Sequence, residues 1–251
     1  MESPLGTVDK AIDILFHLHR EGAARGVTEI GRALGLPKSS AHRLLAALRQ
    51  RGLVEQDDRG RYQPGIGLIA LGVGVLEREP TVAAARPVLE REAESLGETF
   101  FLVGARARQL VVLDKVEGTG FLRAAPRIGS TVPVHATAVG KLQLAFAPAD
   151  VEFTEKAELE SFTDVTLGAD EFWQSVARAK EQGFASNVDE WIAGLSVLAA
   201  PIFRNGQLIG HVALGASSPK VAELGFDELA ERVRKTADAI AARFELGGRM
   251  Q

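Results

Sequence analysis

Three helix-forming runs crowd into the first fifty residues, separated by a glycine break and a Gly-Leu-Pro turn. No other feature of the chain narrows its fold as much. Val8, Ala11, Ile12, Leu15 and Leu18 recur at helical period with Thr7 as N-cap, which predicts a first helix with that stripe turned inward. Gly22–Gly26 breaks it. Thr28 then caps a short helix through Leu34, with Ile30 and Leu34 facing inward. Gly35-Leu36-Pro37 turns the chain, and Pro37 suits a first helical position because the N–H it lacks would have no partner there. The third helix runs from Lys38 to about Gln50, buries Leu44, Leu45 and Leu48, and stops at Gly52. Leu53-Val54-Glu55 and Arg61-Tyr62-Gln63 flank the turn-rich Asp57-Asp58-Arg59-Gly60, which predicts a hairpin. Three helices and a hairpin in about 65 residues read as a winged helix-turn-helix, the alternative being a generic small helical domain.

Gly65–Leu76 predicts a further helix facing apolar neighbours, and Glu77-Arg78-Glu79-Pro80 interrupts the pattern and marks a domain boundary. Residues 1–66 are then the winged helix-turn-helix domain, 67–82 a linker helix and 83–251 the C-terminal domain. Pro87–Leu96 reads as an amphipathic helix closed by Gly97. Thr99–Ala105 and Leu110–Val116 read as strands around the turn Arg106–Gln109, with Phe121–Ala124 as a third strand. Ala138–Ala147, Asp170–Gln182 and Leu224–Phe244 read as helices. Phe184–Asn187, Val197–Phe203 and Gln207–Leu214 read as strands, the last two joined at Arg204-Asn205-Gly206. Hairpin strands with helices at their ends give an α+β domain with a mainly antiparallel sheet.

Composition excludes several classes. At 46% hydrophobic and 25% charged residues the chain is an ordinary folding one rather than a disordered one. No cysteine is present, which rules out disulfides, thiol catalysis and cysteine zinc sites. Uncharged stretches reach only 15 residues, short of the ~20 that span a bilayer, and the N-terminus carries no secretory signal pattern. A cytoplasmic protein is expected. The net charge of −4 hides a division. Residues 1–80 hold eleven Lys and Arg against ten Asp and Glu, whereas the remainder holds 18 against 23. Residues 32–61 alone hold seven basic against three acidic. A basic segment ahead of an acidic body fits a nucleic-acid reader attached to something else.

Enzymatic signatures fail. Gly194-Leu195-Ser196-Val197-Leu198 lacks the second glycine of a nucleophile elbow, Gly65-Ile66-Gly67 lacks the third glycine of a dinucleotide fingerprint, and no phosphate-binding loop is present. His17 and His19 point to different helix faces, and His135 and His211 read as satisfied polar core residues. No metal and no cofactor is expected. DNA contact is better supported, because a helix in the major groove presents its N-terminal exposed residues to base edges. Those residues are Lys38, Ser39, Ser40, His42 and Arg43. Arg43 can grip a guanine with two hydrogen bonds, and Ser39 and Ser40 can bond phosphates or bases. Thr28 at a helix start suits a phosphate. Arg59 and Arg61 in the hairpin either contact the backbone or minor groove or remain solvated.

The run Val27–Leu48, VTEIGRALGLPKSSAHRLLAAL, closely resembles the helix-turn-helix of IclR (isocitrate-lyase-regulator) type bacterial transcription factors. The resemblance continues through Tyr62-Gln63-Pro64-Gly65, through residues 132–141 (VPVHATAVGK), and again through Gly183–Asn187 and Gly194–Phe203. It implies an N-terminal winged helix, a linker helix and a C-terminal effector-binding domain. It also implies a homodimer or dimer of dimers on a palindromic double-stranded operator, as repressor or activator, and a small organic acid as effector. Thr28, Lys38, Ser39, Ser40 and Arg43 correspond to its DNA-contacting positions. Gly31 stands where the family usually has alanine, at a helix cost of up to roughly 1 kcal/mol.

In the family the ligand carboxylate meets backbone amides after the His-Ala motif, here Ala138 and Val139, as a helix start favours an anion. The family often supplies an Asp, a Cys and two Ser around it; alignment puts Asn187, Val197, Ala213 and Gly215 there. These replacements remove hydrogen-bonding partners, disfavour a small polar acid such as glyoxylate, and suit a bulky or aromatic carboxylate. Val132, Leu195 and Val197 would pack its ring, with Trp191 walling one side. The alternatives are a regulator governed by a partner protein, or an enzyme with an appended winged helix, for which the C-terminal half offers no assembled catalytic set.

Overall fold

The computed structural model describes residues 6–76, 78–120, 126–153 and 159–247. The chain divides between Arg78 and Glu79 into two units.

The first unit contains α1 (Thr7–Glu21), α2 (Val27–Ala33), α3 (Lys38–Gln50), β1 (Val54–Gln56), β2 (Tyr62–Pro64) and α4 (Ile66–Leu76). The N-caps differ from those expected at Thr7 and Thr28. Gly6 and Gly26 occupy them, because Asp9 and Glu29 reach back to accept the Gly6 and Gly26 N–H at 2.8 and 2.7 Å. Thr7 and Thr28 therefore lie inside the first helical turns. Ile14, Leu18, Ile30, Leu44, Leu45, Leu48, Val54 and Tyr62 make the core. The expected α1 stripe divides: Leu18 is buried and Ala11 and Leu15 are half-buried, but Val8 and Ile12 are exposed, as is Phe16. Ile14, on the flank of that stripe, is what the core takes instead.

β1 and β2 pair antiparallel, Glu55 opposite Gln63, and Tyr62 also exchanges both backbone hydrogen bonds with Arg25 at 2.7 and 2.8 Å. The wing is thereby fastened to the α1–α2 connection. α4 is anchored at its start, where a Cβ on Gly65 would lie 2.4 Å from the Gly52 carbonyl oxygen. Beyond that anchor the expectation of an apolar-packed helix fails within the chain, since Ile66, Ile69, Leu71, Val73 and Val75 are all exposed. Periodic hydrophobicity reports that a face is apolar, not what covers it.

The second unit contains α5 (Pro80–Leu96), β3 (Thr99–Arg106), β4 (Gln109–Val116), β5 (Thr131–Val132), α6 (Ala138–Phe146), α7 (Ala169–Gln182), β6 (Ala185–Val188), β7 (Leu195–Arg204), β8 (Gln207–Ser217), α8 (Ser218–Leu224) and α9 (Phe226–Gly247). Strands pair antiparallel in the order β5-β4-β3-β8-β7-β6. The strand expected at Phe121–Ala124 lies outside the described residues. α5 begins at Pro80 rather than at Pro87, which sits inside it. The lost N–H of Pro87 is outweighed by burial of Ala85, Val88 and Leu89 against the sheet.

Alternation along β3 divides the packing in two. Phe100 and Leu102 join the cluster under α5 and α9, while Phe101 and Val103 join the one under α6 and α7. The second cluster holds the cavity described next.

Candidate functional site

The candidate DNA-reading surface is built around the α2–α3 turn. Leu36 N–H donates to the Gly31 carbonyl at 2.8 Å, and a Cβ on Gly31 would stand 2.9 Å from the Leu36 oxygen. Glycine at this buried position lets the turn close on α2. Ala41, Leu44, Leu45 and Leu48 hold the inner face of α3. Lys38, Ser39, His42 and Arg43 are exposed on the opposite side, with Ser40 half-buried. Thr28 is exposed as the second residue of α2.

The structure treats the two wing arginines differently. Asp57 accepts the backbone N–H of Arg61 at 2.8 Å and of Arg59 at 3.0 Å, and Arg61 Nε at 3.0 Å. The backbone hydrogen bond from Arg61 is the main cause holding the Asp57 carboxyl below its ordinary range. Arg61 is thus committed to shaping the wing. Arg59 bears no side-chain partner among the described residues and extends from the exposed tip.

In the second unit, Val132, Ala138, Val139, Asn187, Trp191, Leu195, Val197 and Ala213 line one cavity of about 40 Å³. Gly215 does not; a Cβ there would press on the Phe101 ring at 3.1 Å, so this glycine makes room behind the wall. Phe101, Val103, Val112, Pro126 and Thr137 complete the lining and were missed by sequence reasoning. The signal for three of them was strand alternation: Phe101 pairs with Ala213, and Val103 pairs with Val112.

α6 ends at the cavity with its N-terminus. Thr137 caps it, accepting the Gly140 N–H at 3.2 Å and donating to the Pro133 carbonyl at 2.6 Å. Asn187 Oδ1 accepts the Ala138 N–H at 3.2 Å, while its Nδ2 is buried without a partner. The Val139 N–H has no hydrogen-bond partner among the described residues. A Cβ on Gly140 would fall 1.8 Å from the Val134 oxygen, so only glycine lets α6 start this close to the preceding segment.

One turn along α6, buried Lys141 donates to the Ser186 carbonyl at 2.8 Å and to Glu190 at 2.7 Å. Burial pulls the lysine below and pushes the carboxyl above their ordinary ranges, and their mutual attraction opposes both shifts. Thr166 Oγ1 donates to the Glu190 carbonyl at 2.6 Å, and Asp189 accepts from Gly194 N–H at 2.8 Å and Ser218 Oγ at 2.6 Å. The loop bearing Trp191 is therefore pinned on both sides.

Both histidines of this unit have partners. His135 Nε2 lies 2.8 Å from the Glu160 carbonyl, and its ring stacks on Phe162. His211, fully buried, lies 3.1 Å from Gln143 Oε1, and desolvation pushes its pKa down to about 3. Among the described residues no group of three or more metal-binding side chains is found, and no helix is long and apolar enough to cross a membrane.

A winged helix-turn-helix, and a sheet-based unit with an apolar cavity at a helix start, define a DNA-binding regulator of transcription. More narrowly, the chain belongs to the IclR family: residues 7–58 match the IclR helix-turn-helix domain and residues 73–242 the bacterial transcriptional regulator IclR C-terminal domain. The glycerol operon regulatory protein of Streptomyces coelicolor is 32% identical over 221 residues, spanning 86% of this chain and 87% of that one. The crystal structure of Thermotoga maritima IclR superposes with a TM-score of 0.78 at 27% identity, over 94% of this chain and 98% of that one. An IclR homologue from Microbacterium hydrocarbonoxydans shares the fold with a TM-score of 0.83 at 23% identity, over 96% of this chain and all of that one.

Proposed function

We propose that this regulator is a homodimer, or a dimer of dimers, that binds a palindromic operator and responds to a carboxylate bound at the start of α6. The single observation that carries the ligand reading is the unpartnered Val139 N–H in the wall of an otherwise apolar cavity. A helix start offers an anion both an amide donor and the positive end of the helix dipole. Phe101, Val103, Val112, Val132, Leu195 and Val197 favour an apolar body on that carboxylate, such as an aromatic ring. The Microbacterium hydrocarbonoxydans homologue was crystallised with 4-hydroxybenzoate, which supports the same class. Drug-sized ligands occupy roughly 300–1,000 Å³, so a ring enters only as half-buried Trp191 or its neighbours move.

That volume is also the observation favouring a second reading, a small acid that fits without rearrangement. Calorimetric titration with a panel of acids separates the two. An aromatic acid is expected to bind most tightly, and tighter binding of glyoxylate overturns the bulky-acid reading. For DNA, α3 supplies Lys38, Ser39, Ser40, His42 and Arg43 to the major groove, while Thr28 and Arg59 meet phosphates. A gel shift on the upstream region of its own gene tests this, and absence of binding at low salt overturns it.

The dimer reading rests on the first unit. A groove of about 620 Å³ between α1 and α4 is walled by Ile12, Leu15, Phe16, Ile66, Leu68 and Ile69, and Leu71, Val73 and Val75 further along α4 are exposed as well. Two copies joined through this surface would bury it and present two α3 helices to two half-sites. Phe16→Glu is expected to shift the chain toward monomer in analytical ultracentrifugation and to abolish operator binding. An unchanged sedimentation coefficient overturns that placement.

A further inference from the structure

Ser39, His42, Ala46 and Arg49 follow one another along α3 at spacings of three, four and three residues, and all four are exposed. They form one stripe of the helix surface, so Arg49 stands two turns beyond His42 on the same face. Its side chain is held there. Arg49 Nη1 donates to Oε1 of Gln56, the last residue of β1, at 2.5 Å, and Gln56 Nε2 donates to the Gly60 carbonyl in the wing turn at 3.0 Å. The second bond fixes which way the amide faces, because a carbonyl only accepts and the amino side must turn to it. The amide oxygen is then left for Arg49.

The charge of Arg49 stays uncompensated. Arg25 and Arg61, the other arginines of this unit whose side chains are held, are paired with Glu21 and Asp57. Among the described residues Arg49 pairs with no carboxylate, and its side-chain partner is a neutral amide. Such an exposed hydrogen bond adds little to the fold, since ordering a long side chain offsets it. For an arriving anion the ordering is already in place, and most of the guanidinium N–H groups are still uncommitted. Two helical turns span about 10 Å, close to the ~12 Å width of a major groove. A helix that sets residues near its N-terminus on base edges therefore brings its last turn to the phosphates at the rim.

We propose that Arg49 contacts a DNA phosphate and that Gln56 aims it, so that the bridge from α3 to the wing belongs to the interface. This rests on the DNA-binding reading of α3 above. A phosphate contact is blind to sequence: it adds affinity on any duplex and releases counterions as it forms.

The test is the salt dependence of binding by the full-length protein, read by fluorescence anisotropy from about 50 to 200 mM salt. Two duplexes serve, the upstream region of its own gene and a shuffled sequence of the same length. Arg49→Gln is expected to lower the slope of log K against log salt by about 0.9 per bound chain on both, and to weaken both about 3–10-fold per bound chain. Arg49→Lys keeps the charge and should keep the slope. Gln56→Leu breaks the same bridge but leaves the charge, so affinity should fall about 2–5-fold with the slope unmoved. Added to Arg49→Gln, it should cost less than about twofold more. Arg49→Met repeats the measurement if Arg49→Gln does not melt as wild type does. A folded variant without the charge that keeps the wild-type slope overturns the phosphate contact. A slope lost equally in Gln56→Leu assigns the effect to the wing and overturns it too, and losses that multiply in the double variant overturn the aiming role of Gln56. Wild type that binds neither duplex at low salt overturns the DNA reading itself.

Discussion

The proposed reading helix α3 and the proposed effector cavity solve opposite problems with polar groups. α3 keeps Lys38, His42 and Arg43 in water, where they cost the fold little and wait for a partner. The cavity unit buries Asn187, Lys141, Glu190 and His211, and each must be satisfied or bear the cost of desolvation. Exposed polar groups put their free energy into affinity, and buried ones put it into stability and selectivity. Substitutions in the first unit should therefore change DNA binding without melting the protein, whereas those in the second should melt it.

The largest effect is expected at Gly140. Alanine there forces its Cβ against the Val134 oxygen, a contact of 1.8 Å that backbone must relieve. Gly140→Ala should destabilise the second unit by about 3 kcal/mol or more in denaturant unfolding. A loss under about 1 kcal/mol would show that the start of α6 is not fixed, and with it the site.

His211 comes next, and it acts through pH. Gln143 Nε2 donates to the Ala147 carbonyl at 2.6 Å, so its Oε1 faces His211 and fixes the imidazole as the neutral, Nε2-protonated form. With a folded pKa of about 3 against an ordinary value of 6.5, only the unfolded chain takes up the proton between those limits. Above pH 6.5 the group imposes no penalty. As pH falls below that, it removes about 1.4 kcal/mol of stability per unit, continuing toward pH 3. His211→Gln should flatten the dependence by that slope between pH 6 and 4. Identical slopes for the two proteins would mean that His211 is protonated in the fold.

On the reading side, Arg43→Ala should weaken operator binding by about 1–3 kcal/mol and relax preference at one base position, with the melting temperature unmoved. Unchanged affinity in a gel shift takes Arg43 out of the base-reading set. A drop in melting temperature would blur the contrast between the units.

How much of this was legible beforehand follows the same division. α3 could be placed because its signals are local: the Gly-Leu-Pro turn, the Leu44, Leu45 and Leu48 spacing, and the polar opposite face. Cavity residues carried over from the family resemblance mostly meet in one place, with Gly215 set behind the wall. Phe101, Val103 and Val112 escaped notice because a strand residue facing a cavity looks like one facing core until its register is known. The caps were misassigned for a local reason too. Thr7 and Thr28 are good N-cap residues, yet Asp9 and Glu29 moved each cap to the preceding glycine. The exposure of Val8, Ile12 and most of α4 was not legible at all, because what covers an apolar face is not written in its period.

The smallest effect, and the sharpest test of how the turn is built, is at Gly31. Helix propensity alone says that alanine should stabilise α2 by up to about 1 kcal/mol. The contact says otherwise: the new Cβ would sit 2.9 Å from the Leu36 carbonyl oxygen and 3.7 Å from the Ala41 Cβ. Leu36 cannot swing away freely, because its own N–H is held by the Gly31 carbonyl at 2.8 Å and Pro37 follows it into α3. Relieving such a contact costs roughly 1–3 kcal/mol, which outweighs the propensity gain. Gly31→Ala should therefore destabilise the first unit by about 0–2 kcal/mol net, and shift how α3 is presented to DNA more than it shifts melting. Operator affinity measured beside the denaturation midpoint decides it. A more stable protein with unchanged affinity would mean that the turn yields to the methyl group, and that propensity, not packing, governs this position.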